Sequence, residues 1–341
     1  MPLPLPRPFT ADLKVLVMAG SDPPSPDRRA GREPPLRDKS FLTLRGRLVI
    51  EYVIDQLEQC GLSRIWILAS PANLARLPPR PGIVHLPQAA GAGFSDDVAT
   101  GAAATHPQPD EPILVVFGDH PLETPQALRA FLAGCAARLG EADFFHGLAL
   151  QSAYREYTAW SRRTSVHSRE MTGRATGFTL IVPSRMHRLE VLGELYGVRK
   201  LERVRSLVGL IWRLIRWLGP DVPRGVLDAL VMHAAKEMEK IARGRGRAAG
   251  VAGRIESWLS ARVPIARLER YAARVLGAER GVRLIPLAHG GLALDVDFAE
   301  ELATLERHWD AIQAVSRRQE ARLAAACDTM AAHSDREPAT S

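Results

Sequence analysis

Lys39, Asp119 and Asp297 are the residues of this 341-residue chain whose types and positions could carry chemistry. Asp119 ends the apolar run 112–119, and Asp297 ends a second apolar run, 292–297, just before a helical pattern. Two carboxylates placed separately at strand ends suit Mg²⁺, which binds few protein carboxylates together with phosphate oxygens and water. Lys39 follows a long loop and could neutralise a phosphate group as a point charge.

Each of these three residues also has a purely structural explanation. Asp119 precedes a His-Pro-Leu turn and could simply cap it. Asp297 could cap the helix that follows it, and Lys39 could be solvated in its loop. The three residues together favour the chemical interpretation, because each follows a predicted strand or the loop that leaves one.

Short apolar runs rich in valine and isoleucine predict strands, and amphipathic stretches with capping residues and glycine stops predict helices. The predicted strands are 13–19, 64–70, 82–86, 112–119, 142–150, 177–183, 282–288 and 292–297. The predicted helices are 48–60, 95–104, 124–140 and 299–315, with Ser95 as the cap of the second. This alternation predicts an α/β fold, a Rossmann-like three-layer sandwich whose mixed sheet is mostly parallel and covered by helices on both faces.

A basic helical segment interrupts this pattern. Basic residues outnumber acidic residues by roughly ten within 197–275, although the net charge of the whole chain is only +7. The predicted organisation is therefore a mobile arm, a core in two parts, an insertion between those parts and a partly disordered tail. The bounds are 1–12 for the arm, 13–196 and 279–318 for the core, 197–278 for the insertion and 319–341 for the tail.

Four stretches of the chain carry a family resemblance. They read VLVMAG from residue 15, KSFLTLRGRLVIEYVIDQL from 39, VVFGDHPLETPQAL from 115 and LALDVDFAEELATLE from 292. In this order they resemble the nucleotidyltransferases of the GT-A type, which include molybdenum-cofactor guanylyltransferases and sugar- and alcohol-phosphate cytidylyltransferases. The resemblance covers residues 13–183 and 282–315.

The resemblance implies a reaction and a role for each candidate residue. An acceptor oxygen would attack the α-phosphorus of a nucleoside triphosphate and release pyrophosphate. Lys39 would stabilise charge on the α-phosphate, Asp119 and Asp297 would hold Mg²⁺, and Ser95 would contact the base or sugar. Such a reaction needs alignment and charge neutralisation more than covalent work by the protein.

The loop after the first strand would bind the triphosphate, but it departs from the family pattern. It contains five prolines, which lack an N–H donor, where relatives carry several glycines. Guanidinium groups could replace the missing amides, because they bind phosphate bidentately; alternatively, the loop has lost its ligand and only covers the sheet edge. The candidate nucleotide-binding residues here are Ala19, Gly20, Ser21, Arg28, Arg29 and Arg32.

The acceptor is expected near residues 172–179, where relatives have a turn of small residues. Arg174 could meet an acceptor phosphate, although an exposed arginine in a turn is usually only solvated. Gly177 is the second candidate acceptor-binding residue.

The insertion includes a strongly amphipathic stretch, 203–218. Its apolar arc is flanked by Trp212 and Trp217 and faces away from its arginines, the layout of a helix lying on a membrane surface. An apolar acceptor tail could rest there, or the arc could simply pack on the core. The Gly/Arg-rich stretch 242–254 predicts a basic link without interleaved aromatic residues, so no nucleic-acid partner is expected.

Three widely spaced cysteines and an N-terminus without an apolar signal segment predict a reduced, cytoplasmic protein, perhaps peripheral to the inner face of the membrane through 203–218. The leading hypothesis is an Mg²⁺-dependent nucleotidyltransferase whose partners are a nucleoside triphosphate and a small-molecule or lipid-phosphate acceptor. The alternative is a non-catalytic scaffold that binds a nucleotide, an anionic membrane or a protein partner. A nucleic-acid binder using the insertion is a third hypothesis.

Overall fold

The computed structural model describes residues 5–20, 36–160, 165–189, 191, 222–242 and 247–334. Strands in these residues form one large sheet and a two-stranded hairpin. The strands are β1 (Lys14–Met18), β2 (Thr43–Leu44), β3 (Arg47–Leu48), β4 (Arg64–Ala69), β5 (Ile83–Pro87), β6 (Ile113–Phe117), β7 (Phe144–Leu150), β8 (Val166–His167), β9 (Thr172–Ile181) and β10 (Val282–Leu287).

The large sheet has the order β10-β7-β9-β6-β1-β4-β5, and β8 pairs with β9 outside this path. β1 pairs in parallel with both β4 and β6, and β10 pairs in parallel with β7. β9 is antiparallel to both of its neighbours in the path, β6 and β7. The predicted α/β fold with a mostly parallel, mixed sheet is therefore confirmed.

The helices cover both faces of the sheet or belong to the insertion. They are α1 (Val49–Gln59), α2 (Pro71–Leu74), α3 (Phe94–Ala104), α4 (Pro125–Ala136), α5 (Gln151–Tyr154), α6 (Val222–Ala242), α7 (Arg247–Ser260), α8 (Ile265–Leu276) and α9 (Ala299–Ser334). Within the described ranges, no helix has both the length and the apolar character that crossing a bilayer would require.

Alternating side chains of β1 enter two separate cores. Val15 and Val17 point into the core that contains residues of α1, α4 and α9. Leu16 and Met18 point into the opposite core, with residues of α3 and α8. This period-two alternation places β1 at the centre of a three-layer sandwich, because a central strand must bury both of its faces.

The chain reverses its direction of travel across the sheet at β1. It proceeds from β1 through α1 to β4 and β5 on one side, and then returns through α3 to β6 on the other side. Ligands bind beyond the carboxyl ends of the strands at such a switch point. The crevice after β1 and β6 is therefore where a site is expected.

Several local predictions need correction. Residues 292–297 are not a strand: Gly290–Ala293 form a 3₁₀ helix, and residues 294–297 are extended loop outside the sheet. Residues 172–179 are not a turn, because β9 spans Thr172–Ile181. The helix α3 begins at Phe94 with Gly93 as its N-cap, not at Ser95.

Two further differences concern the ends of helices. The helix predicted over 299–315 runs to Ser334, because the amphipathic pattern continues well into the segment predicted as a tail. Residues 247–254, predicted as a link, lie within α7.

Candidate active site

The carboxyl ends of β1 and β6 approach each other closely at the switch point. The Gly118 amide donates a hydrogen bond to the Met18 carbonyl at 2.9 Å. A Cβ atom on Gly118 would lie 2.9 Å from the Ser40 hydroxyl and 3.2 Å from the Ala19 Cβ. Glycine therefore suits this position because of close approach, and it brings the next residue, Asp119, to the mouth of the crevice.

Three carboxylates converge in this crevice. One oxygen from each of Asp119, Asp295 and Asp297 lies within 4.8 Å of the others. Asp119 and Asp297 were expected here, whereas Asp295 was not. The signal for Asp295 was the Asp-Val-Asp spacing itself, since residues two apart in an extended segment lie on the same side.

Lys39 joins the three carboxylates from a different part of the chain. Its ammonium forms an ion pair with Asp297 Oδ1 and lies 4.0 Å from Asp119 Oδ2. Both carboxyl groups and the ammonium are only about one-fifth exposed, so water screens their interaction weakly. The structure therefore brings the predicted lysine and both predicted aspartates together.

Backbone contacts hold Lys39 in this position. Lys39 begins a short 3₁₀ helix whose N-cap, Asp38, has the left-handed φ of 49°. The Asn73 side-chain amide donates a hydrogen bond to Asp38 Oδ1 at 2.7 Å. The Leu36 amide donates to the Asp297 carbonyl at 2.9 Å, which ties the exit of the proline-rich loop to the acidic segment.

The acidic segment is held by α9. Glu301 Oε2 in the first turn accepts hydrogen bonds from the amides of Asp297, at 2.9 Å, and Phe298, at 3.2 Å. Farther along α9, Gln319 Oε1 accepts a hydrogen bond from the Gly290 amide at 2.7 Å. These contacts fix both ends of the segment that carries Asp295 and Asp297.

Burial raises the pKa of the Asp119 carboxyl, and the neighbouring charges of Asp295 and Asp297 raise it further. His120 and Lys39 oppose this increase. The His120 ring donates from Nδ1 to the Leu292 carbonyl at 3.0 Å, which leaves Nε2 3.7 Å from Asp119 Oδ1.

The cluster as a whole has more negative than positive charge. Three hard oxygen ligands around one ammonium fit a small divalent cation, which would relieve the mutual repulsion of the carboxylates. The donor set therefore suits Mg²⁺, with Asp119, Asp295 and Asp297 as the residues that would hold it.

Gly20 lies at the opposite wall of the crevice, against residues that were not predicted. A Cβ atom there would lie 2.8 Å from Gln88 Nε2 and 3.0 Å from Asp97 Oδ2. Gln88 donates a hydrogen bond to Asp97 at 2.7 Å, and Asp97 is buried. In the sequence, Asp97 is indistinguishable from an acid that stabilises the first turn of α3; Ser95 lies in the same turn.

Gly177 packs directly beneath the Asp119 loop. A Cβ atom there would lie 2.2 Å from Glu123 Oε1 and 3.2 Å from the His120 ring. Arg174 is not in an exposed turn, as expected, but is buried on β9 with its guanidinium 4.3 Å from the centre of the Tyr154 ring. Strand pairing with β7 explains the difference, because it orders the segment that its small residues had suggested was a turn.

Glu123 is a buried carboxyl group that was not predicted. Its Oε1 atom has no hydrogen-bond partner among the described residues. Burial raises its pKa well above the usual range, and the charge of Asp119 adds to this effect. Glu123 therefore favours its neutral form beside a strongly acidic cluster.

Other predicted site residues lie outside the described residues. These are Ser21, Arg28, Arg29 and Arg32 of the loop, and the whole of 203–218. Their roles stay predictions.

A family model described as the MobA-like NTP transferase domain matches residues 16–201. The chain belongs to this family. Its chemistry is accordingly nucleotidyl transfer. The matched range of this MobA-like domain includes Lys39 and Asp119 but ends before Asp295 and Asp297, which the fold adds to the same crevice.

Solved structures share the fold of this MobA-like NTP transferase. A hypothetical transferase from Thermus thermophilus is 21% identical, with a TM-score of 0.55 over 85% of this chain and 99% of that chain. A 4-diphosphocytidyl-2C-methyl-D-erythritol synthase from Anaerococcus prevotii is 8% identical, with a TM-score of 0.41 over 88% of this chain and 100% of that one. No curated protein matches the chain.

Proposed function

We propose that the protein is an Mg²⁺-dependent nucleotidyltransferase that transfers a nucleoside monophosphate from a nucleoside triphosphate to a small phosphorylated or alcohol acceptor and releases pyrophosphate. The observation that carries the proposal is the convergence of Lys39, Asp119, Asp295 and Asp297 at the switch point of the sheet. Membership of the MobA-like family supports nucleotidyl transfer as the reaction class.

In the proposed reaction, an acceptor oxygen forms a bond to the α-phosphorus while the bond to the pyrophosphate oxygen breaks. Bound Mg²⁺ supplies charge neutralisation at the phosphate oxygens. Lys39 adds a cation from the other side of the cluster, and the buried setting strengthens its effect on charge that develops during transfer. Asp119, Asp295 and Asp297 fix where the triphosphate lies, which aligns it for attack.

The remaining candidates divide between the two substrates. Ala19, Gly20, Ser21, Arg28, Arg29 and Arg32 are proposed to bind the triphosphate, with Ser95 next to the nucleoside. Gly177 is proposed to line the acceptor side, where its lack of a side chain keeps the crevice open beside His120. Arg174 is proposed to provide positive charge there from β9.

The acceptor and its compartment are proposed on chemical grounds. A phosphate or hydroxyl group, on a small molecule or on a lipid, provides the attacking oxygen. Cys60 and Cys135 are buried free thiols, which supports a reducing, cytoplasmic location. Contact with the membrane through 203–218 would bring a lipid-borne acceptor to the site.

The test is a screen of α-³²P-labelled nucleoside triphosphates with Mg²⁺ and a panel of phosphate and alcohol acceptors, which measures label transfer and pyrophosphate release. Asp119→Asn and Asp297→Asn should each abolish transfer, whereas Asp310→Asn should not, because Asp310 is an exposed carboxylate of α9. Absence of both nucleotide binding and turnover with every triphosphate would contradict the proposal.

A non-catalytic scaffold is the second candidate, and the five prolines of the loop favour it. Prolines cannot donate backbone hydrogen bonds to phosphates. This candidate predicts calorimetric binding of one nucleotide without label transfer to any acceptor. The two candidates are therefore separated by the same screen.

A further inference from the structure

The helices α6 and α7 turn acidic side chains inward. His167 of β8 is buried between them, with Nε2 3.0 Å from Glu239 of α6 and Nδ1 2.8 Å from Glu256 of α7. Near the start of α6, buried Asp228 accepts hydrogen bonds from Arg267 at 3.0 Å and from Tyr271 at 2.9 Å. Polar contacts thus occupy the side of the helices where apolar packing is usual.

The same two helices turn large apolar side chains outward. Leu227 and Ile241 of α6 and Val251, Ile255 and Trp258 of α7 have exposed fractions between 41% and 58%. The three residues of α7 are spaced i, i+4 and i+7 and therefore form one stripe. The ends of α6 and α7 lie side by side, since a Cβ atom on Gly253 would be 3.9 Å from the Ala242 Cβ.

We call these five exposed residues the outer face of the insertion. Contiguous exposed apolar surface of this kind marks a contact with a protein or a membrane. It is unusual here because charged groups of the same helices are buried instead.

Cationic groups border the outer face. The Arg262 guanidinium lies 3.7 Å from the centre of the Trp258 ring, and Arg254 is exposed beside Ile255. Across 197–275 the excess of positive charge is roughly ten. Tryptophan and aliphatic side chains bordered by arginines are typical of helices that lie in the interfacial region of a bilayer.

We propose that the outer face binds the surface of an anionic lipid bilayer. The apolar stripe would enter the boundary between headgroups and acyl chains, and Arg254 and Arg262 would pair with lipid phosphates. This surface is distinct from the predicted amphipathic segment 203–218, and the proposal does not depend on the nucleotidyltransferase reaction.

The first experiment measures co-sedimentation of the full chain with vesicles of phosphatidylcholine and phosphatidylglycerol, and with vesicles of phosphatidylcholine alone. The wild type should bind only the anionic vesicles. The combined variant Val251→Ser, Ile255→Ser and Trp258→Ser should require about tenfold more lipid for half-binding. Val84→Ser is the matched control, because Val84 is an exposed apolar residue of β5, and it should bind as the wild type does.

A second experiment does not depend on removing the stripe. Val251→Cys is labelled with an environment-sensitive fluorophore in a Cys327→Ser background, with Val84→Cys as the control. Anionic vesicles should shift the emission of the label at position 251 to the blue and leave that at position 84 unchanged.

Three results would overturn the proposal. If the combined serine variant binds vesicles like the wild type, the contact lies elsewhere, for example in 203–218. An unchanged emission at position 251 would exclude insertion of the stripe. If vesicles do not bind and the serine variant instead converts a dimer to a monomer by light scattering, the outer face joins two copies of the chain.

Discussion

The ammonium of Lys39 pairs with the carboxylate of Asp297, 258 positions later in the chain. The cation proposed to act on the α-phosphate is thus held by a carboxylate proposed to hold Mg²⁺. Metal bound at Asp297 would compete with this ion pair and leave Lys39 to interact with the triphosphate. Binding of metal and positioning of the lysine are therefore expected to be coupled.

Replacement of the lysine separates its two effects. Lys39→Met should lower turnover by roughly 10²–10³-fold, the loss typical of one group that stabilises developing charge. The same change removes the cation that competes for Asp297, so the Mg²⁺ concentration for half-maximal activity should fall. Initial rates across an Mg²⁺ titration measure both effects, and a raised Mg²⁺ requirement would contradict the proposed roles.

Asp295 is expected to be a metal ligand in spite of its absence from the sequence-based prediction. Asp295→Asn should raise the Mg²⁺ concentration for half-maximal activity by at least roughly tenfold, the loss produced even by changes around metal ligands. Asp310→Asn removes a carboxylate that is 88% exposed and should leave the Mg²⁺ titration unchanged. Equal titrations for the wild type and Asp295→Asn would remove Asp295 from the site.

The contact between Gly177 and Glu123 can be tested by a double-mutant cycle. Gly177→Ala places a Cβ atom 2.2 Å from Glu123 Oε1, so overpacking should lower the free energy of unfolding by about 1–3 kcal/mol. In a Glu123→Ala background the loss should shrink, because the obstructing atoms are gone. Gly140→Ala is the control, since no atom lies within 4 Å of its added Cβ. Purely additive losses in urea titrations would show that the two residues do not interact.

His289, at the start of the acidic segment, should make folding sensitive to acid. Burial lowers the pKa of His289 to about 4, below its ordinary value of 6.5. Between these values the unfolded chain binds a proton that the folded chain does not, so stability falls as pH drops from 6.5 towards 4. The loss amounts to roughly 3 kcal/mol.

The matched variant for this effect is His289→Gln, which cannot take up the proton but can still hydrogen bond Ser316. Urea unfolding from pH 7 to pH 4 should show the wild type losing more stability than the variant. Parallel curves for the two proteins would contradict the assignment.

The order of strands and helices in the core could be predicted because each element carries its own local signal. The runs at β1, β4 and β6 are short and apolar, and central parallel strands must be buried on both faces. Thr124 and Pro125 mark the start of α4, and Gly61, with φ of 82°, follows α1 as predicted. The switch point then follows from the order of these elements, which is why Lys39 and Asp119 could be placed together.

The segment that carries Asp295 could not be predicted correctly, because contacts distant in sequence shape it. Residues 292–297 are apolar enough for a strand, but Gln319 binds the Gly290 amide. A Cβ atom on Gly290 would lie 2.6 Å from the Ala153 carbonyl, so only a glycine allows this chain crossing. The same limit applies to Glu239, whose partner His167 lies 72 positions away.

The site is completed by the last part of the chain to be translated. Lys39 and Asp119 leave the ribosome before the insertion is made, whereas Asp295 and Asp297 follow it. A nascent or prematurely terminated chain that ends within the insertion has only one of the three carboxylates. Incomplete products are therefore expected to be unable to consume nucleoside triphosphates, so synthesis itself delays the appearance of activity until the full chain is present.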